Sequence, residues 1–461
     1  MMMTEARERK DLPPVPSLRQ IIGPSFILLG LALGSGELIL WPYLTARHGL
    51  GLLWGALLGI SFQFLLNTEV MRYTLCWGES AFVGFWKLGK FWPVWFIIST
   101  FIPWSLPGFS SGVAEILGNL LGLENTLGLA IFFLVLVGLI LSLGKTLYRT
   151  MEIFQRTVVL IGVPFILFLV LFFVTKQDGI KLAQGLVGRG DGWWFFPSGL
   201  IWASFLGAVA YSGAGGNLNL AQSYYIKEKG FGMGKFTTKI TSLLKGGVKK
   251  FKLTGQLFAD TPQNRTRFSS WWRLISKEHF LIFWGLGLLT IILLSLLSYL
   301  LVFGQASQKG IVFLYQEAGA IRAALGPAVG VIFLLIAGGM LYSTQVGVLE
   351  STSRIISENI LLLNYKKGQK VKASLYFYLS LWAQIILGIV ILLFGWSEPR
   401  FLLTLSAIMN AFAMMISFPL VWYLNKKKLP DFVQPKLSKQ LFYWLGFVFL
   451  AIFSGAVLIT V

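Results

Sequence analysis

The 461-residue sequence contains little charge and almost no cysteine. Charged residues make up 13% of it and hydrophobic residues 56%, so a soluble protein of this composition would lack the polar surface that keeps it dispersed. The single cysteine, Cys76, excludes an intramolecular disulfide and a cysteine-cluster metal site. With two histidines, no HExxH, no P-loop and no convincing nucleophile–base set, the sequence predicts neither an enzyme nor a bound cofactor.

Long apolar runs recur along the chain instead. Runs near the length of about 20 residues that crosses a bilayer give about eleven membrane spans. We place these spans near residues 19–46, 48–73, 92–121, 124–145, 152–176, 194–226, 279–304, 324–351, 373–396, 400–424 and 439–460. The sequence therefore predicts an all-α integral membrane protein.

The net charge of +20 is distributed as the positive-inside rule requires. Lys and Arg collect before span 1 and in the loops after spans 2, 4, 8 and 10. This pattern predicts a multi-pass protein of the plasma membrane with a cytoplasmic amino terminus and an external carboxyl terminus. The basic insert at 227–278 is then expected on the anionic inner face of the membrane, in contact with lipid and not with nucleic acid.

Two glycine breaks interrupt apolar spans at matching places in the two halves of the chain. They are Gly34-Ser35-Gly36-Glu37 in span 1 and Ser212-Gly213-Ala214-Gly215-Gly216-Asn217 in span 6. Unwound backbone at membrane depth needs protein, water or ligand to satisfy it, and paired breaks mark the substrate site in transporters built from inverted repeats. We therefore predict two five-span repeats, 19–176 and 194–424, between a cytoplasmic segment at 1–18 and a peripheral span at 439–461.

Five motifs in order along the membrane domain carry a family resemblance. They are span 1 from Gly23-Pro24-Ser25-Phe26 to Gly34-Ser35-Gly36-Glu37, then Val113-Ala114-Glu115-Ile116, Tyr148-Arg149-Thr150-Met151-Glu152, Asn217-Leu218-Asn219-Leu220 and Ser343-Thr344-Gln345-Val346-Gly347. They resemble the GPGF and DPGN, LAEV, FRKLE, NLYL and STITG motifs of the Nramp family of divalent metal transporters. The resemblance implies a LeuT-type fold with a midplane metal site between spans 1 and 6.

The sequence departs from the family pattern at the metal-binding motifs. Gly34 stands in place of the Asp of DPGN, and Glu37 in place of its Asn. Ala214 and Gly216 stand where the family's MPH motif has Met and His. An oxygen-only site suits Mg²⁺ or Mn²⁺, which resembles the Nramp-related magnesium-transporter branch or a divergent clade whose substrate need not be a metal. Because Gly112 replaces an acid of span 3 thought to release protons, we expect weak or absent proton coupling.

Glu37 is the candidate anionic ligand, because an ionisable group at bilayer depth is costly unless it faces a cavity or a partner. The alternatives are a neutral buried acid and a bracing ion pair. The predicted metal site comprises Glu37, Gly34, Ser35, Ala214, Gly213 and Asn217.

A second set of residues is expected along the substrate path or at its gates. These are Tyr211, Glu69, Glu115, Gln345 and Asn410. Their alternative role is structural, as hydrogen bonds between helices or as an ion-pair network that closes the inner gate. Glu69 with Arg72, Glu115, and Glu152 with Arg149 are expected near the inner ends of their spans.

These features predict a secondary-active or facilitative transporter of divalent cations, with Mg²⁺ or Mn²⁺ favoured, that works by alternating access. The alternative is a Na⁺- or H⁺-coupled carrier of a small organic solute or anion, since one carboxylate is little charge for a dication. A membrane sensor, scaffold or enzyme is a more distant alternative. The expected partners are the transported ion and the lipid bilayer, and a monomer would suffice for this activity.

Overall fold

The computed structural model describes residues 9–16, 21, 23–143, 147–237, 253–305, 310–364 and 373–460. Their regular structure is helical, apart from one isolated bridge between Arg189 and Trp194. The helices that form the spans are Pro24–Gly30, Leu33–Leu40 and Trp41–His48 (span 1), Leu53–Trp77 (span 2), Trp92–Trp104 and Gly108–Leu121 (span 3), Leu127–Leu143 (span 4), Leu147–Phe173 (span 5), Trp202–Ala210, Gly216–Ala221 and Gln222–Lys229 (span 6), Phe280–Leu286 and Gly287–Val302 (span 7), Pro327–Leu363 (span 8), Ala373–Leu393 (span 9), Pro399–Lys428 (span 10) and Leu437–Thr460 (span 11).

Hydropathy and length support the membrane assignment. Seven helices of the described residues are long and apolar enough to cross a bilayer, or up to eight if the bent pair in span 1 counts as one span. Span 4 is apolar but shorter, and spans 3 and 6 are divided into short helices. The prediction of an all-helical membrane protein is thereby confirmed.

Burial separates a central group of spans from a peripheral one. The most apolar windows of spans 2 and 8 are 67% and 61% buried within the chain, whereas those of spans 5 and 11 are 33% buried. Apolar side chains that a soluble protein would cover are exposed on the peripheral spans, as on Leu171 and Ile452. These faces are suited to lipid contact.

The two ends of span 10 mark the two ends of the helix bundle. We call the end at its last turn, which carries Lys426, Lys427 and Lys428, the basic end. The end at Glu398, whose side chain caps the start of span 10, is the opposite end. The predicted topology places the basic end in the cytoplasm.

Spans 3, 6 and 7 differ from their predictions in where they break or begin, and span 8, predicted to end near 351, continues to Leu363. Span 3, predicted as continuous over 92–121, is broken between Trp104 and Gly108, because Pro103 and Pro107 cannot both continue one helix. The helical part of span 6 begins at Trp202, and span 7 continues without interruption from an amphipathic helix, Pro262–His279.

This amphipathic helix and residues 9–16 pack together at the basic end. The backbone N–H of Leu12 donates to Asn264 Oδ1 at 3.0 Å, and the indole N–H of Trp271 donates to the carbonyl of Pro13 at 2.8 Å. The backbone N–H of Gly255 donates to the Glu79 carboxylate at 2.6 Å. The predicted insert at 227–278 is therefore largely structured, while its residues 238–252 lie outside the described part of the chain.

Candidate functional site

At the break in span 1, a side chain from span 8 forms hydrogen bonds with the unpaired backbone groups. The two parts of the span, Pro24–Gly30 and Leu33–His48, are bent by 45°. The Thr344 hydroxyl donates to the carbonyl of Gly30 and accepts the backbone N–H of Gly34, both at 2.9 Å. A Cβ at Gly34 would lie 2.8 Å from the Thr344 hydroxyl oxygen, so glycine is required for this approach. The neighbouring Ser35 hydroxyl donates to the carbonyl of Ala32 at 3.3 Å.

The break in span 6 is closed by Gln63 of span 2, which the sequence analysis did not identify. The backbone N–H of Gly215 donates to Gln63 Oε1 at 3.0 Å, and Gln63 Nε2 donates to the carbonyl of Ala210 at 3.0 Å. The Asn219 amide also donates to Gln63 Oε1, at 3.1 Å. Gly215 and Gly216 have positive φ angles of 77° and 49°, which favour glycine. One amide side chain therefore replaces the helical hydrogen bonds that the break removes.

The two breaks touch at one point. A Cβ at Gly36 would overlap the backbone carbonyl of Tyr211. The two backbone segments therefore approach each other so closely that only glycine fits at residue 36. Gly213 lies against Gln63, and Ala214 is buried in the same turn. The structure therefore brings together the segments that the sequence analysis chose as the site.

Glu37 points away from this contact and towards span 7. It follows Gly36 in a π-helical turn, so its side chain leaves the helix about a quarter of a turn from the face that meets Tyr211. A Cβ at Gly287 would lie 3.7 Å from Glu37 Oε1. The Thr290 hydroxyl lies beside the carboxylate and also within 2.9 Å of the carbonyls of Leu286 and Gly287, so these acceptors share its single proton. In this arrangement Glu37 faces span 7, and a ligand shared between Glu37 and the span 6 break stays a prediction.

Glu37 is fully buried, and apart from the Thr290 hydroxyl beside it neither carboxylate oxygen has a hydrogen-bond partner among the described residues. None of the salt bridges in the described part of the chain includes Glu37, so the bracing ion pair weighed above is not formed there. Within the same residues no group of three or more His, Cys, Asp or Glu side chains is placed to hold a metal ion. Any cation at Glu37 would therefore meet one carboxylate, neutral oxygens and water.

Tyr211, Asn410 and Gln345 all lie around the break in span 3. The Tyr211 hydroxyl pairs with the Ser406 hydroxyl at 2.6 Å and accepts from Asn410 Nδ2 at 3.0 Å. The Trp104 ring stacks on the Tyr211 ring, with centroids 5.3 Å apart. Gln345 Oε1 accepts the backbone N–H of Ser110, in the first turn after the break.

Asn217 follows the span 6 break along the chain, and its side chain faces span 3. Its amide donates to the hydroxyls of Ser99 and Thr100, at 2.8 and 3.0 Å, while its Oδ1 has no partner among the described residues. It joins spans 3 and 6, which is the structural role weighed above, and leaves one buried acceptor free.

The predicted ion-pair network does not form as one unit. Glu69 pairs with Arg72 at 2.9 Å at the basic end. Glu115 lies at the opposite end, where a Cβ at Gly310 would be 3.7 Å from it and 3.4 Å from Glu398. Span 3 runs from the basic end to the opposite end, so a residue in its last two turns cannot meet Glu69. The expectation that Glu115 lies near the inner ends was wrong.

Glu152 forms an ion pair with Lys229 at the end of span 6, at 3.0 Å. The predicted partner Arg149 lies outside the residues whose side chains the structure describes. This pair ties span 5 to the part of span 6 at the basic end.

A buried charge cluster between spans 6 and 8 was missed. Arg354, 1% exposed, bonds to the Glu350 carboxylate one helical turn away, and its guanidinium lies 3.7 Å from the Glu228 carboxylate. The neighbouring hydroxyl of Tyr225 bonds to Ser351 at 2.6 Å. The signal in the sequence was the spacing of Glu350, Arg354 and Glu358, which places three ionisable groups on one face of an apolar helix.

The same cluster continues towards the basic end. The Glu358 carboxylate accepts from the hydroxyls of Tyr224 and Ser80, both at 2.7 Å. The Lys227 ammonium is fully buried and attracted to Glu358, without a hydrogen-bond partner in the described residues. Span 6 is thereby tied to span 8 over two helical turns.

No protein-family model and no curated protein sequence matches the chain. Solved structures do match it. The manganese transporter of Eremococcus coleocola, in a mutant form, is 14% identical with a TM-score of 0.69, and the match covers 97% of this chain and 89% of that one. The same transporter in complex with an aromatic bis-isothiourea compound gives a TM-score of 0.68 at 14% identity, over 98% and 89% of the two chains.

A second solved protein shares the architecture. Mhp1, a nucleobase-cation-symport-1 family transporter, in a closed conformation with bromovinylhydantoin bound, is 11% identical with a TM-score of 0.55. That match covers 97% of this chain and 94% of the other.

The broken spans 1 and 6 and the overlap with these structures show that the chain has the LeuT-type fold, built from two five-span inverted repeats. Within this class, the overlap with the manganese transporter confirms, at the level of the fold, the resemblance to the Nramp family that the motifs predicted.

Proposed function

We propose that this protein transports cations across the membrane by alternating access, with Glu37 as the charged ligand. The observation that carries the proposal is the environment of Glu37: a fully buried carboxylate with no cationic side chain paired to it among the described residues. An isolated buried carboxylate is costly, and the neutralising partner must be a proton or a cation. Of these two partners we favour a cation, because in a transporter fold it would give Glu37 a role in substrate binding.

Divalent cations are the favoured substrates, with Mg²⁺ ahead of Mn²⁺. Mg²⁺ dehydrates reluctantly and is commonly held by one or two carboxylates and several waters, which suits a site with one carboxylate. Neutral oxygens lie close by, on Thr290 and on the carbonyls of Leu286 and Gly287. The shared fold with a manganese transporter adds support for a metal substrate.

A flux assay in liposomes tests the proposal. The reconstituted chain is screened with Mg²⁺, Mn²⁺, Ca²⁺, Na⁺ and amino acids, with a pH reporter inside. We expect Glu37→Gln to abolish cation uptake or weaken cation binding by tenfold or more, because it removes the charge and keeps the size of the side chain. Glu124→Gln, an exposed carboxylate, is the control and should transport as the unmodified chain does.

A cation affinity that Glu37→Gln leaves unchanged would refute the ligand role. If the same variant also unfolds at a lower temperature, the carboxylate acts in packing, and the cation proposal is wrong.

The second candidate function is cation-coupled transport of a small organic solute. It is favoured by the stacked pair of Trp104 and Tyr211, which lies beside the site and has no evident use in binding a metal ion. The shared fold with a nucleobase–cation symporter that holds a bromovinylhydantoin supports the same candidate.

A further inference from the structure

A groove lies between spans 2, 10 and 11 at the basic end. Its free volume of about 350 Å³ includes space open to the surroundings and exceeds the volume of a single ordered water several times. Its apolar wall consists of Leu65, Trp422 and the ring of Tyr443, whose hydroxyl donates to the carbonyl of Phe418 at 2.7 Å. These three side chains belong to membrane-spanning helices, so the groove can accept a ligand with an apolar part.

The polar wall of the groove carries three amide side chains whose nitrogens are already paired. Gln434 Nε2 donates to the carbonyl of Asn425 at 2.9 Å, and Gln440 Nε2 donates to the carbonyl of Pro435 at 2.9 Å. Asn425 Nδ2 donates to the carbonyl of Glu69 at 3.0 Å. The oxygens of the three amides accept no hydrogen bond within the described residues, and that of Asn425 is buried, where polar atoms are nearly always paired.

Lys439 adds a positive charge to the rim of the groove. It lies in the first turn of span 11, and no carboxylate among the described residues forms an ion pair with it. The Glu69 carboxylate on the groove wall is paired with Arg72 at 2.9 Å. The Lys439 ammonium lies 6.0 Å from the centre of the Trp272 ring, and lysine with tryptophan is typical of the level of the lipid headgroups.

Three hydrogen-bond acceptors beside a cation fit a ligand that carries N–H donors next to an anion. A primary ammonium has three N–H donors, one for each amide oxygen, and a phosphate oxygen accepts from a lysine ammonium. A phosphate without the ammonium would leave the amide oxygens unpaired, and a cation without the phosphate would be repelled by Lys439. The ethanolamine headgroup of a phospholipid joins both groups, and its acyl chains match the apolar wall.

We propose that the groove between spans 2, 10 and 11 is a binding site for phosphatidylethanolamine. The ammonium of the lipid donates to the amide oxygens of Asn425, Gln434 and Gln440, and its phosphate pairs with Lys439. The acyl chains lie along the apolar wall. The lipid thereby joins span 2 of the first repeat to span 10 of the second and to span 11, at a site separate from Glu37.

Native mass spectrometry of the purified full-length chain with added lipid tests the site. Phosphatidylcholine with the same acyl chains is the matched ligand, because its trimethylated ammonium keeps the charge and has no N–H donor. We expect phosphatidylethanolamine to bind at least about tenfold more tightly than phosphatidylcholine.

A pair of lysine variants tests the phosphate contact. Lys439→Gln should weaken the binding of phosphatidylethanolamine by about tenfold, since it removes a hydrogen bond between two charged groups. Lys436→Gln is the matched control, because Lys436 is an exposed lysine three residues earlier that does not line the groove. This control should bind the lipid as the unmodified chain does.

Equal binding of phosphatidylethanolamine and phosphatidylcholine by the unmodified chain would overturn the site, and this comparison needs no variant that might fail to fold. Equal binding of phosphatidylethanolamine by Lys439→Gln and the unmodified chain would also overturn it. Tighter binding of phosphatidylglycerol would mean that the basic end attracts anionic lipid without recognising an ammonium. Displacement of the lipid by an equal concentration of free phosphoethanolamine would mean that the groove takes a soluble ligand, and either result refutes the proposal.

Discussion

Replacing Arg354 with methionine is expected to loosen the basic end of the protein. Arg354 of span 8 lies between Glu350 of its own helix and Glu228 of span 6, and it is 1% exposed. Arg354→Met keeps a long apolar side chain but removes the buried cation that lies between two buried carboxylates. Removing one partner of a buried ion pair costs about 3–5 kcal/mol.

The part of this free energy that holds span 6 to span 8 follows from the distance between the Arg354 guanidinium and the Glu228 carboxylate. At 3.7 Å, and with an effective dielectric constant of about 20, the attraction between Arg354 and Glu228 is about 4 kcal/mol before the desolvation cost. Even half of this value changes the ratio of closed to open forms by more than tenfold. The substitution should therefore favour the form that is open at the basic end.

Two measurements check this prediction. Thermal unfolding in detergent should begin at a lower temperature for Arg354→Met than for the unmodified chain. Alkylation of Cys76, the single cysteine, should become faster, because this fully buried side chain lies in the last turn of span 2 at the basic end.

Arg265→Met is the matched control. Arg265 is exposed and pairs with Asp260 at 2.8 Å, so water screens the pair and its loss should leave the unfolding temperature almost unchanged. The combined replacement of Glu228 and Glu350 with glutamine should restore much of the stability of Arg354→Met, since the two carboxylates that Arg354 neutralises are then uncharged. Unchanged unfolding and unchanged Cys76 alkylation in Arg354→Met would refute the assignment of this cluster as a closing contact.

Three further outcomes are expected. Gln63→Leu leaves the Gly215 N–H and the Ala210 carbonyl unpaired, so it should lower stability by about 2–6 kcal/mol in chemical unfolding, and an unchanged unfolding curve would contradict this. Gly36→Ala places a methyl group on the Tyr211 carbonyl and should abolish transport in the flux assay; a fully active variant would mean that the two breaks separate in the working protein. Cation uptake should leave the pH inside the liposome unchanged, because Gly112 has no carboxyl group at the position that the motif resemblance assigns to proton release, and acidification in proportion to uptake would contradict this.

The sequence allowed the two breaks to be located because glycine clusters in apolar spans have few other uses. Gly36, Gly215 and Gly216 do stand where the backbone approaches closely or has a positive φ angle. The break in span 3 was not predicted, although Pro103 and Pro107 signalled it, because a single proline is common in membrane helices and usually only kinks them.

The direction of Glu37 could not be predicted from sequence. It depends on a π-helical turn over Leu33–Leu40 and on Gly36 facing Tyr211, and both arise from packing between distant spans. The role of Gln63 was hidden for the same reason, since its partners lie more than 140 residues away along the chain. Glu350, Arg354 and Glu358 of span 8 are spaced four residues apart, so the sequence placed them on one helix face. Their partner Glu228 follows the break in span 6, so the sequence could not show which side of its helix faces span 8.

The side chains that close the two breaks also impose an order on assembly during synthesis. Gln63 has already been made when the span 6 break emerges from the ribosome, so that break finds its partner at once. Gly34 waits for Thr344, which is 310 residues further along the chain. At about 5–20 residues per second, the first span therefore stays incomplete for roughly 15 to 60 s after it enters the membrane. A chain that ends before span 8 lacks Thr344 and cannot pair the backbone groups at the span 1 break. The first span to enter the membrane is therefore among the last to reach its final structure.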